Sequence, residues 1–257
     1  MASLAPVVGR TQTAEKYSLD PKRKSLFMAS SILLVSTGVI WAVVARLSML
    51  LYPSGVPTGA ESYLKLVSQN QVLAASDWSL WIVADLLIVL PTIALYFVLS
   101  PTNKTLALVG TALALVFPIY DIPVSELNSL MLVSLAHGYA NAPTAALQAP
   151  YIAAAASRVA ALPVETFVSF ALSIGFLVLS FAMLKSVFRK GIAILGIVAN
   201  GAAVVGSVSA LVPASGVLGL LFFISVPAGG LWLILVGFQL HRYTMRLTIP
   251  QLTSQYQ

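Results

Sequence analysis

The segment DWSLWIVADLLIVLPTIALYFVL occupies residues 77–99 and is followed at once by the polar turn SPTNK at residues 100–104. It carries only two charged side chains, Asp77 and Asp85. A helix needs about 20 mostly apolar residues to cross about 30 Å of hydrocarbon. The segment therefore predicts a membrane-spanning helix with Asp77 as its N-cap. The short turn predicts an antiparallel hairpin with the next apolar segment.

Six long apolar runs of this kind follow one another along the chain. They cover residues 26–51, 77–99, 105–122 (with apolar character resuming to 135), 164–187, 191–213 and 216–240. Apolar residues make up 59% of the 257 residues and charged residues 9%, with a mean hydropathy of +0.94. Because soluble domains carry about 25% charged residues, most of this surface is expected to contact lipid. The predicted fold is an all-α, polytopic transmembrane bundle of six spans.

Basic residues collect at every second gap between these runs. Of the 14 Lys and Arg residues, 11 lie before the first run, between the second and third, around the junction of the fourth and fifth, or after the sixth. The opposite gaps hold only Lys65 and Arg158. Positive residues favour the cytoplasmic side, so both termini are predicted to be cytoplasmic. Anchorage to anionic lipid headgroups accounts for the net charge of +6, and no nucleic-acid partner is expected.

This topology divides the chain into three parts. Residues 1–24 form a cytoplasmic tail, residues 25–246 the six-helix transmembrane domain, and residues 247–257 a second cytoplasmic tail. Segments near 52–76 and 136–163 are expected outside the cytoplasm. The first run is too long for a signal peptide and lacks a small-residue cleavage site, so it is predicted to be a retained helix.

The sequence leaves two forms open for the third helix. Pro118 and Pro123 interrupt it, so residues 105–137 form either one kinked helix or a helix followed by a separate segment. Whether residues 124–162 include a re-entrant or surface helix stays open. A surface or partly inserted helix suits the alanine-rich stretch 145–162 better than a seventh span, which would move the C-terminal basic residues outside.

Four ionisable residues lie within or beside the predicted spans: Arg46, Asp85, Asp121 and Glu126. An unpaired charge near the bilayer centre costs roughly 3 kcal/mol on insertion scales. All four lie in the outer half of the bundle, so they are candidates for one polar cluster, structural or ligand-binding. Three arrangements are open: an Arg46–Asp85 salt bridge, an ion or ligand pocket open to the outside, and separate snorkelling to the outer interface.

Signals of catalysis are missing from the sequence. There is no cysteine, which excludes disulfides and thiolate chemistry. The topology puts His137 and His241 on opposite sides of the membrane, so they cannot share a metal or haem within one subunit. No Gly-x-Ser-x-Gly elbow or phosphate-binding loop occurs. The chain is therefore expected to be no enzyme and to need no cofactor or metal.

Small residues line two of the predicted helices. The fourth carries Ser169 and Ser173, and the fifth carries a longer series: Ala199, Ala203, Gly206, Ser207 and Ala210. Such faces permit close helix contact, either inside the bundle or with a membrane-protein partner or second copy of the chain.

Several stretches resemble the DUF4386 family of prokaryotic polytopic membrane proteins. They are Ala45-Arg46-Leu47, VADLL at 83–87, YFVLSPTNKTLAL at 96–108, MLKS at 183–186 and GIAILG at 191–196. The resemblance covers most of the apolar part of the chain. It implies a six-helix fold and a multi-pass location in a prokaryotic cell membrane, and it supplies no activity. Members usually carry an arginine in the third helix, where this chain has about Ala114.

Two classes of function follow from these features. The leading hypothesis is a non-enzymatic membrane protein, either an accessory subunit of a membrane complex or a binder of a lipidic or small apolar ligand. The alternative is a transporter or channel for a small solute or ion, with its polar site in the outer half of the bundle.

Overall fold

The structure is a computed structural model, and it describes residues 21–53, 57, 59–160, 162–207 and 216–246. Every regular element within these residues is helical. After a 3₁₀ turn at Pro21–Arg23 come α1 (Lys24–Leu51), α2 (Ala60–Gln69), α3 (Gln71–Leu99), α4 (Lys104–Asp121), α5 (Leu127–Asn141), α6 (Ala145–Val159), α7 (Leu162–Met183), α8 (Lys190–Ser207) and α9 (Gly216–Arg246). A π-helical turn at Ile122–Glu126 joins α4 to α5.

Five stretches of the described chain are long and apolar enough to cross a membrane. They are Lys24–Leu51, Gln71–Leu99, Lys104–Asn141, Lys190–Ser207 and Ile224–Met245. Within α7, residues Ser169–Met183 form a shorter apolar helix. An all-helical fold with helices able to span a membrane is therefore confirmed, while the count of six spans and the orientation of the termini stay predictions. The end of the fifth predicted run, at 208–213, lies outside the described residues.

The hairpin predicted from residues 100–104 is present. The amide of Thr102 donates to the Leu99 carbonyl oxygen at 3.0 Å, which closes the turn after α3. Asn103 then caps α4, because its side-chain oxygen accepts a hydrogen bond from the Leu106 amide at 3.0 Å. Capping satisfies an amide that has no partner inside the helix, so the helix starts at a defined residue.

One predicted helix boundary needs correction. Asp77 is not the N-cap of α3, because that helix already begins at Gln71 and Asp77 lies buried inside it. Of the two alternatives for the third helix, the structure has the continuous one: helical structure runs from Lys104 to Asn141, with a π-helical turn at Ile122–Glu126. A π turn absorbs the backbone disruption at Pro123 without ending the helix.

Helices α1 and α9 cross at glycine. A β-carbon on Gly38 would collide with the Gly230 carbonyl oxygen, and one on Gly237 would lie 2.7 Å from the Ser31 carbonyl oxygen. As the residue number falls along α1 it rises along α9, so the two helices are antiparallel. Without side chains at these positions, the two backbones approach closely and gain dispersion energy. Because lipid tails supply no hydrophobic driving force between helices, such packing contributes directly to their association.

A second close contact joins α4 to α7. A β-carbon on Gly175 would lie 2.7 Å from the Gly110 carbonyl oxygen. Gly110 and Gly175 were not among the small residues predicted to mediate helix contact on the fourth and fifth helices. Ser173 and Ser207 are buried and donate to carbonyl oxygens of their own helices, at 3.0 and 2.8 Å. Ala210 lies outside the described residues, and use of these faces by a partner stays a prediction.

Four aromatic rings form a row through the middle of the bundle. Trp81 of α3 packs on Trp41 of α1 with ring centroids 6.3 Å apart, and Trp41 packs on Phe176 of α7 at 6.5 Å. Phe176 in turn packs on Trp232 of α9 at 5.3 Å. Tilted aromatic pairs at such distances are favourable beyond the area they bury. The row connects four helices.

The segments predicted near 52–76 and 136–163 meet at one end of the bundle, which we call the cap end. Its core combines residues from α1, α2, α3, α5 and α6: Leu51, Tyr63, Leu64, Val67, Ala74, Trp78, Leu132, Ala136, Tyr139 and Ala155. α6 fits the predicted surface helix, since Ala155 is its buried residue.

The opposite end, which we call the basic end, gathers the predicted cytoplasmic segments. The Arg23 guanidinium lies 3.6 Å from the centre of the Phe97 ring, which joins the start of α1 to the end of α3. Tyr243, near the end of α9, donates to the Val187 carbonyl oxygen in the α7–α8 loop at 2.6 Å. Lys104 begins α4 at this end, directly after the hairpin turn.

The glycine crossing predicts different effects for the same substitution at two helical sites. Gly38→Ala should lower the free energy of unfolding by about 2 kcal/mol, because overpacking forces α1 away from α9. Gly201→Ala should be neutral or stabilising by up to about 1 kcal/mol, since its β-carbon meets nothing within 4 Å and alanine favours helix. Chemical unfolding in detergent measures both. Equal effects would contradict the close crossing.

Candidate functional site

Two carboxyl groups meet inside the bundle. Asp85 of α3 is 1% exposed and Asp121, the last residue of α4, is 5% exposed. The Asp121 carboxyl group lies next to that of Asp85, close enough for a side-chain contact and for electrostatic interaction. Neither carboxyl oxygen of Asp85 receives a hydrogen bond from an N–H or hydroxyl group in the described part of the chain. We call Asp85 and Asp121 the carboxyl pair.

Helix phase explains why Asp85 points inward. Ala84 and Ile88 on the same face of α3 are also buried in the main core, as is Phe117 on α4, four residues before Asp121. Residues three and four apart share a helix face. The apolar neighbours therefore carry both carboxyl groups into the interface between α3 and α4.

The backbone beside the carboxyl pair is irregular. Pro118 lies inside α4 and has no N–H, so the carbonyl of Ala114 lacks its usual helical donor. The π-helical turn begins one residue after Asp121. Irregular backbone at membrane depth is tolerated where it is buried in protein or lines a water-filled cavity, and π turns are frequent at functional sites.

Electrostatic repulsion determines what two adjacent carboxyl groups can bind. Two unit charges about 4 Å apart repel by about 4 kcal/mol at an effective dielectric constant near 20. A proton held between the oxygens removes that repulsion, and so does a small cation. The arrangement suits reversible binding of a proton or a cation.

The predicted Arg46–Asp85 salt bridge is wrong. Arg46 is exposed, whereas Val44 and Ala45 beside it are buried. No ion pair joins Arg46 to Asp85 in the part of the chain that the structure describes. Arg46 lies on the outward face of α1, and the Ser48–Asp77 and Trp41–Trp81 contacts put it closer to the level of Asp77 than to that of Asp85. Of the three arrangements considered, snorkelling fits Arg46 best.

Glu126 lies at the end of the π-helical turn, five residues after Asp121. Its side chain is outside the described side chains, so its membership of the cluster stays a prediction. Of the four candidate residues, the structure brings together Asp85 and Asp121 and separates Arg46 from them.

Asp77 is a third buried acid, and the sequence analysis did not predict its contact with Ser48. The Ser48 hydroxyl of α1 donates to Asp77 Oδ1 of α3 at 2.9 Å. This bond joins the tops of α1 and α3 and satisfies a carboxyl group that is 2% exposed. The sequence signal was the pairing of a serine and an aspartate at the predicted outer ends of two neighbouring helices. Asp77 was assigned to capping instead.

Polar contacts also hold the cap end together. The hydroxyls of Tyr52 and Tyr63 lie 2.9 Å apart, and burial raises the pKa of Tyr52, with Tyr63 and Asp77 adding to the shift. Tyr139 donates to Glu61 Oε1 at 3.3 Å. Lys65 lies 2.7 Å from the same oxygen and holds the pKa of Glu61 below its usual value. Both ends of that ion pair are exposed, so it adds little stability.

The two histidines lie at opposite ends, as predicted. His137 hydrogen-bonds to Asn141 at the cap end, with 3.1 Å between its Nε2 and the amide nitrogen. His241 lies near the basic end, 3.4 Å from the Ser31 hydroxyl. Among the described residues, no three His, Asp or Glu side chains converge on a position that could hold a metal ion.

Comparison with known proteins adds no relative to this description. No protein-family profile matches the chain, and neither a curated protein nor a solved structure matches it. The resemblance to the DUF4386 family therefore stays a prediction, and the functional argument rests on the residues of this chain.

The geometry predicts energetic coupling between Asp85 and Asp121 and none between Asp85 and Arg46. In a double-mutant cycle, Asp85→Asn and Asp121→Asn should deviate from additivity by about 1 kcal/mol or more, because the groups are in contact. Arg46→Gln combined with Asp85→Asn should be additive within about 0.5 kcal/mol. Unfolding in detergent supplies the free energies. Coupling in the second cycle, or none in the first, would contradict the assignment.

Proposed function

We propose that this integral membrane protein binds and moves a proton or a small cation through the Asp85–Asp121 pair, alone or coupled to a small solute. The observation that carries the proposal is a pair of buried carboxyl groups in contact, at a helix interface, without N–H or hydroxyl donors to Asp85. Ionisable residues within spans are rare and mark ion pathways and proton relays. This is the transporter or channel alternative of the sequence analysis.

The contrast between Asp85 and Asp77 supports this choice. Both lie on α3 and are buried, yet Asp77 accepts a hydrogen bond from Ser48 and Asp85 faces another acid. A carboxylate satisfied by a hydroxyl is a stable structural contact. Two facing carboxyl groups repel each other unless a proton or cation lies between them. Buried ionisable residues of this kind occur in membrane spans mainly where they bind or move an ion.

No described feature singles out the accessory-subunit hypothesis. It stays a prediction, as does the expectation that the chain is not an enzyme. Purification from native membranes followed by mass spectrometry tests the subunit hypothesis. A stoichiometric membrane-protein partner would favour it.

We also propose six spans with both termini cytoplasmic, in a prokaryotic cell membrane. Support comes from the charge distribution: Arg23, Lys104, Arg189 and Arg242 belong to the basic end, whereas Glu61, Asp77, Asp85 and Asp121 lie towards the cap end. α7 would supply the sixth span, since its bounds give 22 residues. Positive charge marks the cytoplasmic side, so the cap end would face outward.

Ion movement should depend on the carboxyl pair. In proteoliposomes under an imposed ion gradient, Asp85→Asn and Asp121→Asn should each lower flux of protons, Na⁺ or K⁺ at least tenfold. An infrared band of a protonated carboxyl group should shrink in Asp85→Asn, whether or not a coupled solute is present. Asp77→Asn is the matched control, because it removes a buried carboxyl group from the same helix. Full activity and an unchanged band in Asp85→Asn would refute the proposal.

The orientation can be tested with single cysteines, since the chain has none of its own. A cysteine replacing Gln69, exposed at the cap end, should react with an impermeant thiol reagent added outside intact cells. A cysteine replacing Asn103, exposed in the turn at the basic end, should react only after the cells are opened. The reverse pattern would overturn the topology.

A further inference from the structure

A cleft of about 400 Å³ opens at the basic end, between the start of α8 and the last turns of α9. It is lined by Arg189, Ile192, Leu235, Phe238, Gln239, Arg242 and Tyr243. The cleft is far from the carboxyl pair, which lies towards the cap end, and the proposed function does not use it.

The two arginines supply uncompensated positive charge. Neither guanidinium forms a hydrogen bond or ion pair with any residue in the described ranges. None of the acidic side chains that the structure describes lies at the basic end: Glu61, Asp77, Asp85 and Asp121 lie between the middle of the bundle and the cap end. Among the described residues, an anion in the cleft would therefore meet two arginines and no competing carboxylate. Arginine binds phosphate oxygens through paired N–H donors.

The polar wall of the cleft is fixed in place by its own hydrogen bonds. Gln239 donates to the Val187 carbonyl oxygen at 2.9 Å and accepts from the Arg189 amide at 3.1 Å. Tyr243 donates to the same Val187 oxygen at 2.6 Å. These bonds tie the α7–α8 loop to α9, so the backbone carrying Arg189 is positioned before a ligand binds. The start of α8 lies here too, where the helix dipole favours an anion.

The remaining wall is apolar and faces outward. Ile192, Leu235 and Phe238 line it below the arginines, and the Phe238 side chain is 53% exposed in a segment apolar enough to span the membrane. A soluble phosphate would leave this surface uncovered. A phospholipid would place its phosphate between the arginines and its acyl chains on the apolar wall.

We propose that this cleft is a binding site for one anionic phospholipid, with Arg189 and Arg242 holding the headgroup phosphate. The site differs from general attraction of basic residues to the membrane surface, because two arginines from different helices converge above one apolar wall. It also accounts for the polar residues within the cleft, where Gln239 and Tyr243 order the loop and leave the guanidinium groups to the ligand.

The test is lipid binding to the full chain in detergent, measured by native mass spectrometry with dioleoyl phosphatidylglycerol and dioleoyl phosphatidylcholine as probes. Wild type should prefer phosphatidylglycerol. Each charge near the surface is worth about fivefold in affinity, so Arg189→Gln with Arg242→Gln should weaken phosphatidylglycerol binding about 30-fold. Binding of phosphatidylcholine should change much less. Lys185→Gln is the control, since this exposed cation is at the same end and does not line the cleft.

Further measurements separate the remaining outcomes. Circular dichroism and gel filtration should show the double variant folded, because both arginines are exposed. Inorganic phosphate should not displace the lipid from wild type at equal concentration. Full displacement would assign the cleft to a soluble phosphate and overturn the lipid proposal. Undiminished phosphatidylglycerol binding by the folded double variant would overturn it as well, and so would an equal loss in Lys185→Gln.

Discussion

Close approach of helix backbones at glycine is the constraint on which the other contacts depend. Helices in lipid gain little from the hydrophobic effect against each other, so their crossing points are set by packing. Gly38 and Gly230 bring α1 against α9, and Trp41 packs beside Gly229, with 3.2 Å between its ring and a β-carbon placed there. Trp41 then contacts Trp81 of α3. Asp85 follows Trp81 by one helical turn, so the crossing of α1 and α9 helps to set the depth and face at which the carboxyl pair forms.

Charge is sorted along the bundle, and each end uses it differently. The cap end has few basic residues and pairs its polar groups, as in the Ser48–Asp77 and Tyr52–Tyr63 contacts. At the basic end, the guanidinium groups of Arg189 and Arg242 have no partner among the described residues, and Gln239 and Tyr243 order their surroundings. Pairing suits a structural cap, because satisfied groups hold it in one conformation. Unpaired arginines above apolar surface suit the boundary of a membrane whose lipids carry phosphate.

Properties of a single helix, such as its length and the position of a residue along it, could be predicted from the sequence. Contacts between two helices could not. Apolar length and a polar turn were enough for α3, α4 and their hairpin, and the distance from each helix end gave the depth of Asp85 and Asp121. The facing direction of Arg46 was missed, because charge cost and depth say nothing about which side of α1 it occupies. The contacts of Gly38 and Gly110 were missed for the same reason. The sequence cannot distinguish a glycine that packs against another backbone, such as Gly38, from one that faces open space, such as Gly201.

The interface that contains the carboxyl pair is also the one best suited to change. α4 packs along α7 more extensively than along α3, so the α3–α4 contact is the weaker of the two. A proton or cation between Asp85 and Asp121 favours the arrangement in which the two helices are close, and its loss restores repulsion across that interface. The π-helical turn next to Asp121 gives the end of α4 a place to move. A ligand shifts a conformational equilibrium only by its difference in affinity for the two states. The carboxyl pair would bind a proton or cation more tightly when α3 and α4 are close than when they are apart. The Asp77–Ser48 contact has no such difference, because the hydroxyl satisfies the carboxylate without any ion.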